Sequence, residues 1–427
     1  MSVVSPQRSM AVRIVLEQHA QDAAILHSAR TNLTGAPHVR LRHLLRFDER
    51  LEAHLDGLAE AGEEAWPVCE AALEEAPAGA VFTAVVRALS DRRPDRLGRL
   101  LALPAALPGT ARELLSAFGW LEADALRGVV AELLASPEAR ARVTGIAACA
   151  MHRVDPGLIA RRCLEDPDPA VRARAWRTAG EIGKRELVST AAAAMEHEDP
   201  ACRFWAAWSA VLLGDKQRGL EVIAGLASVP GPFRPRAFQL AVQAMGVTAA
   251  HELLQAVAGD PASTRWLIRG SGLAGDAGYV RWLMDFMADD RFARLAGEAF
   301  SFITGADLAW LDLERKPPEN FDPGPNDDPN DPNVDMDEDE GLPWPDRGRI
   351  EAWWQVNGRR FQTGVRYFMG EPLNPDHCLR VLKDGYQRQR RAAALYLSLL
   401  NPGTHLFEWR APARRQQRLL AGQGEFR

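Results

Sequence analysis

The residues best placed to do chemistry lie near the start of the chain. In Asp48-Glu49-Arg50-Leu51-Glu52-Ala53-His54-Leu55-Asp56, carboxylates and an imidazole fall within a turn or two of helix. Asp48, Glu52 and His54 could share acid/base work, yet helix-to-helix pairing in solvent accounts for them as well. A metal fits poorly: His43, Asp48, His54 and Asp56 lack the i, i+4 pairing of a helical zinc site, and no third ligand is nominated. Asn333, Asp335 and Asp337 alternate like calcium ligands, but the Gly and the closing bidentate Glu of an EF-hand are not at their offsets. Cys69, Cys149, Cys163, Cys202 and Cys378 form no CxxC pair and sit in apolar or helical contexts, which predicts buried thiols. No catalytic, cofactor or metal residue is therefore assigned, and a non-enzyme is expected.

Binding chemistry is better supported. The net charge of −6 hides two adjacent blocks: 316–347 holds eleven Asp or Glu against two basic residues, and 348–427 fourteen Lys or Arg against six acids. Blocks of opposite sign point to electrostatic recognition. The expected partner-binding residues are Trp344, Trp353, Trp354, Arg359, Arg360, Arg366, Tyr367, Arg388, Arg390 and Arg391. The arginines among them are expected to form one patch. The acidic stretch should lie over that patch until an acidic partner displaces it, since about thirty flexible residues span roughly 15 to 30 Å.

The elements that must position these residues announce themselves by repetition. Ser136-Pro137-Glu138-Ala139-Arg140 recurs as Pro167-Asp168-Pro169-Ala170-Val171-Arg172 and as Glu198-Asp199-Pro200-Ala201-Cys202-Arg203, with weaker copies at Val229, Asp260 and Asp289. Arg142, Arg172, Arg203, Arg234, Arg265 and Arg294 are separated by 30, 31, 31, 31 and 29 residues. Asp-Pro before an Ala-rich run starts a helix, because the carboxylate caps free N–H groups and Pro is tolerated at the first helical position. Gly183, Gly214, Gly275 and Gly305 then stand where a C-cap belongs. One helix pair cannot bury its own apolar face, so the units should stack. Arg172, Arg203 and Arg265 are expected to hold a neighbouring repeat's Asp or a helix end. Trp176, Trp205, Trp208, Trp266 and Trp282 read as packing.

Before the repeats, Val12–Ser28 and Leu41–Ala61 read as helices, followed by Trp66–Leu73, Ala78–Leu89 and Pro94–Leu103. The expected division is 1–105, an N-terminal helical region; 106–315, the repeats; 316–347, an acidic Pro-rich flexible loop; and 348–427, a basic, mostly helical C-terminal module. No stretch of about 18 uncharged apolar residues exists, and the first residues lack a signal layout, so a cytoplasmic protein is expected.

The short pair, the Asp-Pro turn and the basic residue after it resemble HEAT repeats, in particular their short-repeat branch. The resemblance implies an all-α chain, an α-solenoid of HEAT-like helix pairs. Pro37-His38, Asp48 to Leu58, Leu342-Pro343-Trp344-Pro345, Trp353-Trp354, Gly364-Val365-Arg366-Tyr367 and Gln387 to Ala393 are similar to a bacterial HEAT-like family encoded beside type VI secretion genes. That resemblance implies effector delivery as the context and names no reaction. It leads to a non-catalytic adaptor or chaperone for a secretion effector or spike-tip protein. An immunity protein binding a toxin and a HEAT-like DNA-binding protein are the alternatives. Nucleic acid is disfavoured because residues 1–315 carry a net charge of −5, the wrong field for a phosphate-tracking groove.

Overall fold

A computed structural model describes residues 6–75, 77–319, 321 and 336–422. The fold is an all-α solenoid of helix pairs, 71% helical, with 22 helices and one two-stranded hairpin among the described residues. Two compact units divide it. The first takes the chain up to Gly35, Val39–Ile182 and the segment from Glu408 through the last helix; the second takes Ala36–His38 and Gly183–Phe407. Contacts thus partition the chain differently from composition. The 348–427 stretch expected as one module is divided, and its last helix belongs to the first unit.

The first unit holds α1 (Pro6–Leu33), α2 (Leu41–Glu60), α3 (Trp66–Glu75), α4 (Pro77–Ser90), α5 (Pro94–Ala106), α6 (Ala111–Trp120), α7 (Val129–Ala135), α8 (Ala139–Met151), α9 (Leu158–Leu164) and α10 (Pro169–Glu181). The second holds α11 (Val188–Ala194), α12 (Pro200–Leu213), α13 (Arg218–Ser228), α14 (Arg234–Ala244), α15 (Val247–Val257), α16 (Thr264–Ala274), α17 (Val280–Phe286), α18 (Ala293–Thr304), α19 (Arg347–Asn357), α20 (Pro375–Asp384) and α21 (Gln387–Leu400). Helix α22 (Ala413–Ala421) returns to the first unit, packing on α2.

The Asp-Pro turns act as their chemistry dictates. Asp168 accepts hydrogen bonds from the Ala170 and Val171 amides at 2.8 and 3.4 Å, and Asp199 from the Cys202 amide at 2.7 Å, with Pro169 and Pro200 opening α10 and α12. Asp260-Pro261 departs from the pattern: it opens a short 3-10 turn, and α16 begins only at Thr264. The first unit's core is built around Leu51, Leu58, Phe82 and Phe118, the second's around Ile268, Phe300, Ile303 and Ile350, all fully enclosed. All five cysteines are buried free thiols, and burial pushes the Cys378 thiol up to about 12.

The closing glycines carry two demands at once. Gly214, Gly275 and Gly305 cap α12, α16 and α18 in the left-handed region, at φ 111°, 74° and 70°. They are also where the segment after α19 docks on the second unit's helix ends. Tyr367 and Phe368 (β1) pair with Glu371 and Pro372 (β2) around Met369-Gly370, both at positive φ as a tight two-residue hairpin requires. The Tyr367 amide donates to the Gly275 carbonyl at 2.8 Å, Met369 to Phe302 at 2.6 Å, and Gly403 to Leu212 at 3.3 Å. A Cβ on Gly275 would stand 2.1 Å from the Tyr367 carbonyl oxygen, and one on Gly305 2.5 Å from that of Met369. Arg366 completes the seam. Its guanidinium donates to the Ala274 carbonyl at 3.0 Å, to Val242 at 2.9 Å, to Met245 at 2.8 Å and to Gln243, which satisfies carbonyls at the ends of α14 and α16 and answers their negative dipole ends.

Candidate functional site: an arginine cradle at three helix starts

Several helices of the second unit begin against the usual electrostatics, and three of them share one acidic partner. Arg265, Arg294 and Arg388 each occupy the second position of their helix, after the cap residues Ser263, Phe292 and Tyr386, and none of the three first turns carries an acid. Free amides and the macrodipole make a helix start positive, so a cation there costs about 0.3 to 1 kcal/mol when unopposed. Arg269 adds a fourth charge one turn further along α16.

What opposes them is the end of the acidic stretch, Asp337-Glu338-Asp339. Arg294 grips Asp337 with both nitrogens, at 2.7 and 3.1 Å, and donates to the Asp339 carbonyl at 3.0 Å. Arg265 donates to the Asp339 carboxylate at 2.8 Å and to Glu338 at 3.2 Å; Arg269 donates to Glu338 at 2.8 Å. Arg388 bonds the Glu338 carbonyl and pairs with Glu298 of α18 at 2.7 Å. Burial would raise the Glu338 carboxyl, but Arg269 and Arg265 outweigh it and hold it below the usual range. Burial likewise lowers Arg388, and Glu298 outweighs it, leaving the guanidinium above its ordinary value.

The cradle is graded in depth. The Asp339 side chain is 4% exposed and that of Arg294 9%, whereas Glu338 is 62% exposed. One Asp339 oxygen, Oδ1, is buried without a hydrogen bond, and its nearest cations are Arg388 at 3.7 Å and Arg269 at 3.8 Å. Aromatic rings brace the deep arginine: the Arg294 guanidinium lies 4.8 Å from the Phe321 ring centre and 4.9 Å from that of Trp344, and the two rings meet edge to face at 4.7 Å. The segment leaves the cradle past Glu340, whose carbonyl accepts from His38 Nδ1 at 3.2 Å.

The expected binding residues scatter across roles. Arg388 lies in the cradle, and Trp344 braces it from a buried position. Trp353 and Trp354 pack half-buried on Phe300. Tyr367 is buried, with its hydroxyl accepting from the Gln362 amide and donating to the Arg360 carbonyl. Arg366 is the carbonyl staple of the seam. Arg390 is 0% exposed, donating to the Leu382 carbonyl at 2.7 Å and to Gln387 at 3.1 Å, so it presents nothing to a partner. Arg359, Arg360 and Arg391 are exposed. The single C-terminal basic patch is thus corrected: the acids meet Arg388 together with arginines of the repeats. Asn333 and Asp335 lie outside the described residues, and Asp337 is bound to Arg294.

The early carboxylate–imidazole phrase is taken apart by its helix. Asp48 is buried in an ion pair with Arg30, at 2.5 and 3.2 Å, and accepts from the Ala413 amide at 2.6 Å, tying α1 and α2 to the start of α22. Glu52 pairs with Arg414 at 3.0 Å, and His54 faces His19 at 3.1 Å. Among the described residues no group of three or more His, Cys, Asp or Glu side chains is arranged to hold a metal ion. Among them too, no helix is long and apolar enough to cross a membrane.

Arg172 and Arg203 are structural, as expected, and Arg142 of the preceding copy is too. Arg142 reaches Asp166 at 2.8 and 2.9 Å, Arg172 donates to the Asp166 and Pro167 carbonyls at 2.6 and 2.9 Å, and Arg203 to His197 at 3.3 Å. Arg265 departs from that expectation by reaching Asp339 and Glu338, where Arg294 and Arg269 join it. A first turn with an arginine and no acid does not by itself single them out, since α14, α17 and α19 open the same way.

Stacked helix pairs define a helical-repeat architecture. Residues 156–245 match the family model of HEAT repeats, so this part of the chain is similar to them. HEAT repeats commonly serve as protein-interaction scaffolds and are typically non-catalytic. No curated protein and no solved structure matches the chain.

Proposed function

We propose that the protein is a non-catalytic scaffold for another protein, working in the cytoplasm as an adaptor or chaperone for a secretion effector or spike component. The observation that carries the scaffold reading is the cradle itself: four arginines converge on a short acidic segment through charge-assisted bonds, the chemistry of peptide recognition. The secretion context rests on the sequence resemblance through Pro37-His38, Trp353-Trp354 and Gln387 to Ala393. Reciprocal pull-downs against the products of neighbouring genes, paired with deletion of the gene, test it. An adaptor gives a specific complex and loss of one effector's secretion. Rescue from a co-expressed toxin with secretion intact would replace it by an immunity role.

A further inference from the structure

We infer that the cradle of Arg265, Arg269, Arg294 and Arg388 is a binding site for an acidic linear segment of a partner protein, and that Asp337-Glu338-Asp339 occupies it in cis until the partner's segment replaces it. The inference deepens the scaffold reading and rests on it.

Charge balance comes first. With the segment in place, Asp337, Glu338, Asp339 and Glu298 face four guanidinium groups; without it, three of these four carboxylates are gone from three helix starts that are themselves positive. The site therefore demands an anion, and what it demands is several carboxylates in a row. Aromatic faces on Arg294 and bidentate geometry on Asp337 select a planar carboxylate over a diffuse negative charge.

The occupant is held as a ligand is held. Between Asp337 and Asp339 the links to the helices run through arginine side chains, to two backbone carbonyls and three carboxylates. The Asp339 amide bonds its own neighbour, Asp337, at 3.0 Å, and not a helix. Any peptide offering three consecutive acids can make the same bonds. The fit is also incomplete, since Asp339 Oδ1 lacks a hydrogen bond and Glu338 stands mostly in solvent. A partner segment that brings a donor to that oxygen would bind better. Lastly, these arginines are not spent on their own turn as Arg172 and Arg203 are, so a repeat position elsewhere structural is turned toward a ligand.

Duplex DNA could use the same positive charge, but a phosphate backbone does not offer carboxylate spacing and matches poorly a cradle whose deepest pair is enclosed.

The test uses the full chain and a fluorescent synthetic peptide with the sequence of Met336–Gly341, followed by fluorescence anisotropy. Three proteins are compared: the wild type, the exposed single variant Glu338→Gln, and the triple variant Asp337→Asn/Glu338→Gln/Asp339→Asn. A tethered occupant competes at an effective concentration near the millimolar range, so releasing it should tighten peptide binding on the order of ten- to a hundred-fold in the triple variant. The single variant should gain a few-fold. Adding Arg294→Gln to the triple variant should abolish the gain, and raising salt should erode it. Equal binding by wild type and triple variant, or binding by neither, overturns the inference. So does a triple variant that fails to fold by circular dichroism, because the segment is then a part of the fold. Tighter binding of a plain duplex than of the peptide overturns it in favour of nucleic acid. A negative peptide result paired with a specific neighbour-gene complex would sink the cradle while sparing the scaffold.

Discussion

Replacing Gly275 by Ala tests how the hairpin segment docks on the helix ends of the second unit. Gly275 sits at φ 74°, where a Cβ costs about 1 to 2 kcal/mol in any surroundings. Here the added carbon would also stand 2.1 Å from the Tyr367 carbonyl oxygen and 3.1 Å from Arg366 Cγ, so backbone must move. Movement forfeits the Tyr367 amide bond to Gly275 and disturbs the Arg366 bond to Ala274, about 1 kcal/mol or more each. The expected total is about 3 to 4 kcal/mol. Gly364 provides the control: its φ of 81° is equally left-handed, but nothing lies within 4 Å of an added Cβ. Gly364→Ala should cost only the conformational share, about 1 to 2 kcal/mol. Thermal unfolding by circular dichroism ranks the two, and amide exchange at Tyr367 and Met369 localises the damage. Equal losses for the two variants would refute the close approach, and with it the docking of the hairpin on α16.

In the first unit, Asp48→Ala leaves Arg30 a buried, unpaired cation and strips the Ala413 amide of its acceptor; urea unfolding should show a loss of about 3 to 5 kcal/mol, and adding Arg30→Met should recover part of it. His27 stacks on Phe82, bonds Ser116 Oγ at 2.8 Å and is held neutral, its pKa lowered to about 3 by burial first and then by Arg30 and Arg112. Between pH 6.5 and about 3 the unfolded chain binds a proton that the folded one refuses, so stability is complete above 6.5 and drains as pH falls through that window. His27→Phe should flatten the slope of unfolding free energy between pH 7 and 4 by up to several kcal/mol, at a cost of about 1 kcal/mol at neutral pH for the stranded serine. An unchanged slope would mean another group governs acid sensitivity.

Helix starts and stops were legible because they are local chemistry. Asp168, Asp199 and the glycines 214, 275 and 305 act within a few residues of where they stand. Burial is not local, and charge counting is blind to it: Arg390 and Arg391 are neighbours in sequence, yet one is enclosed and the other exposed. The cradle escaped for a subtler reason. The 31-residue spacing places Arg265 in line with Arg203, but Asp260-Pro261 forms a 3-10 turn and delays the helix. The arginine therefore slides from the fourth helical position to the second and faces a different partner. The same limit hid α22, whose place beside α2 depends on Asp48, hundreds of residues away in sequence.

The central claim is that the cradle exchanges one acidic segment for another. Amide exchange across 336–345 of the wild-type protein, with and without a saturating excess of the Met336–Gly341 peptide, addresses it without any substitution. Faster exchange of the protein's own segment when peptide is present, reversed by salt, is the predicted result. Exchange that stays the same at saturating peptide would contradict it.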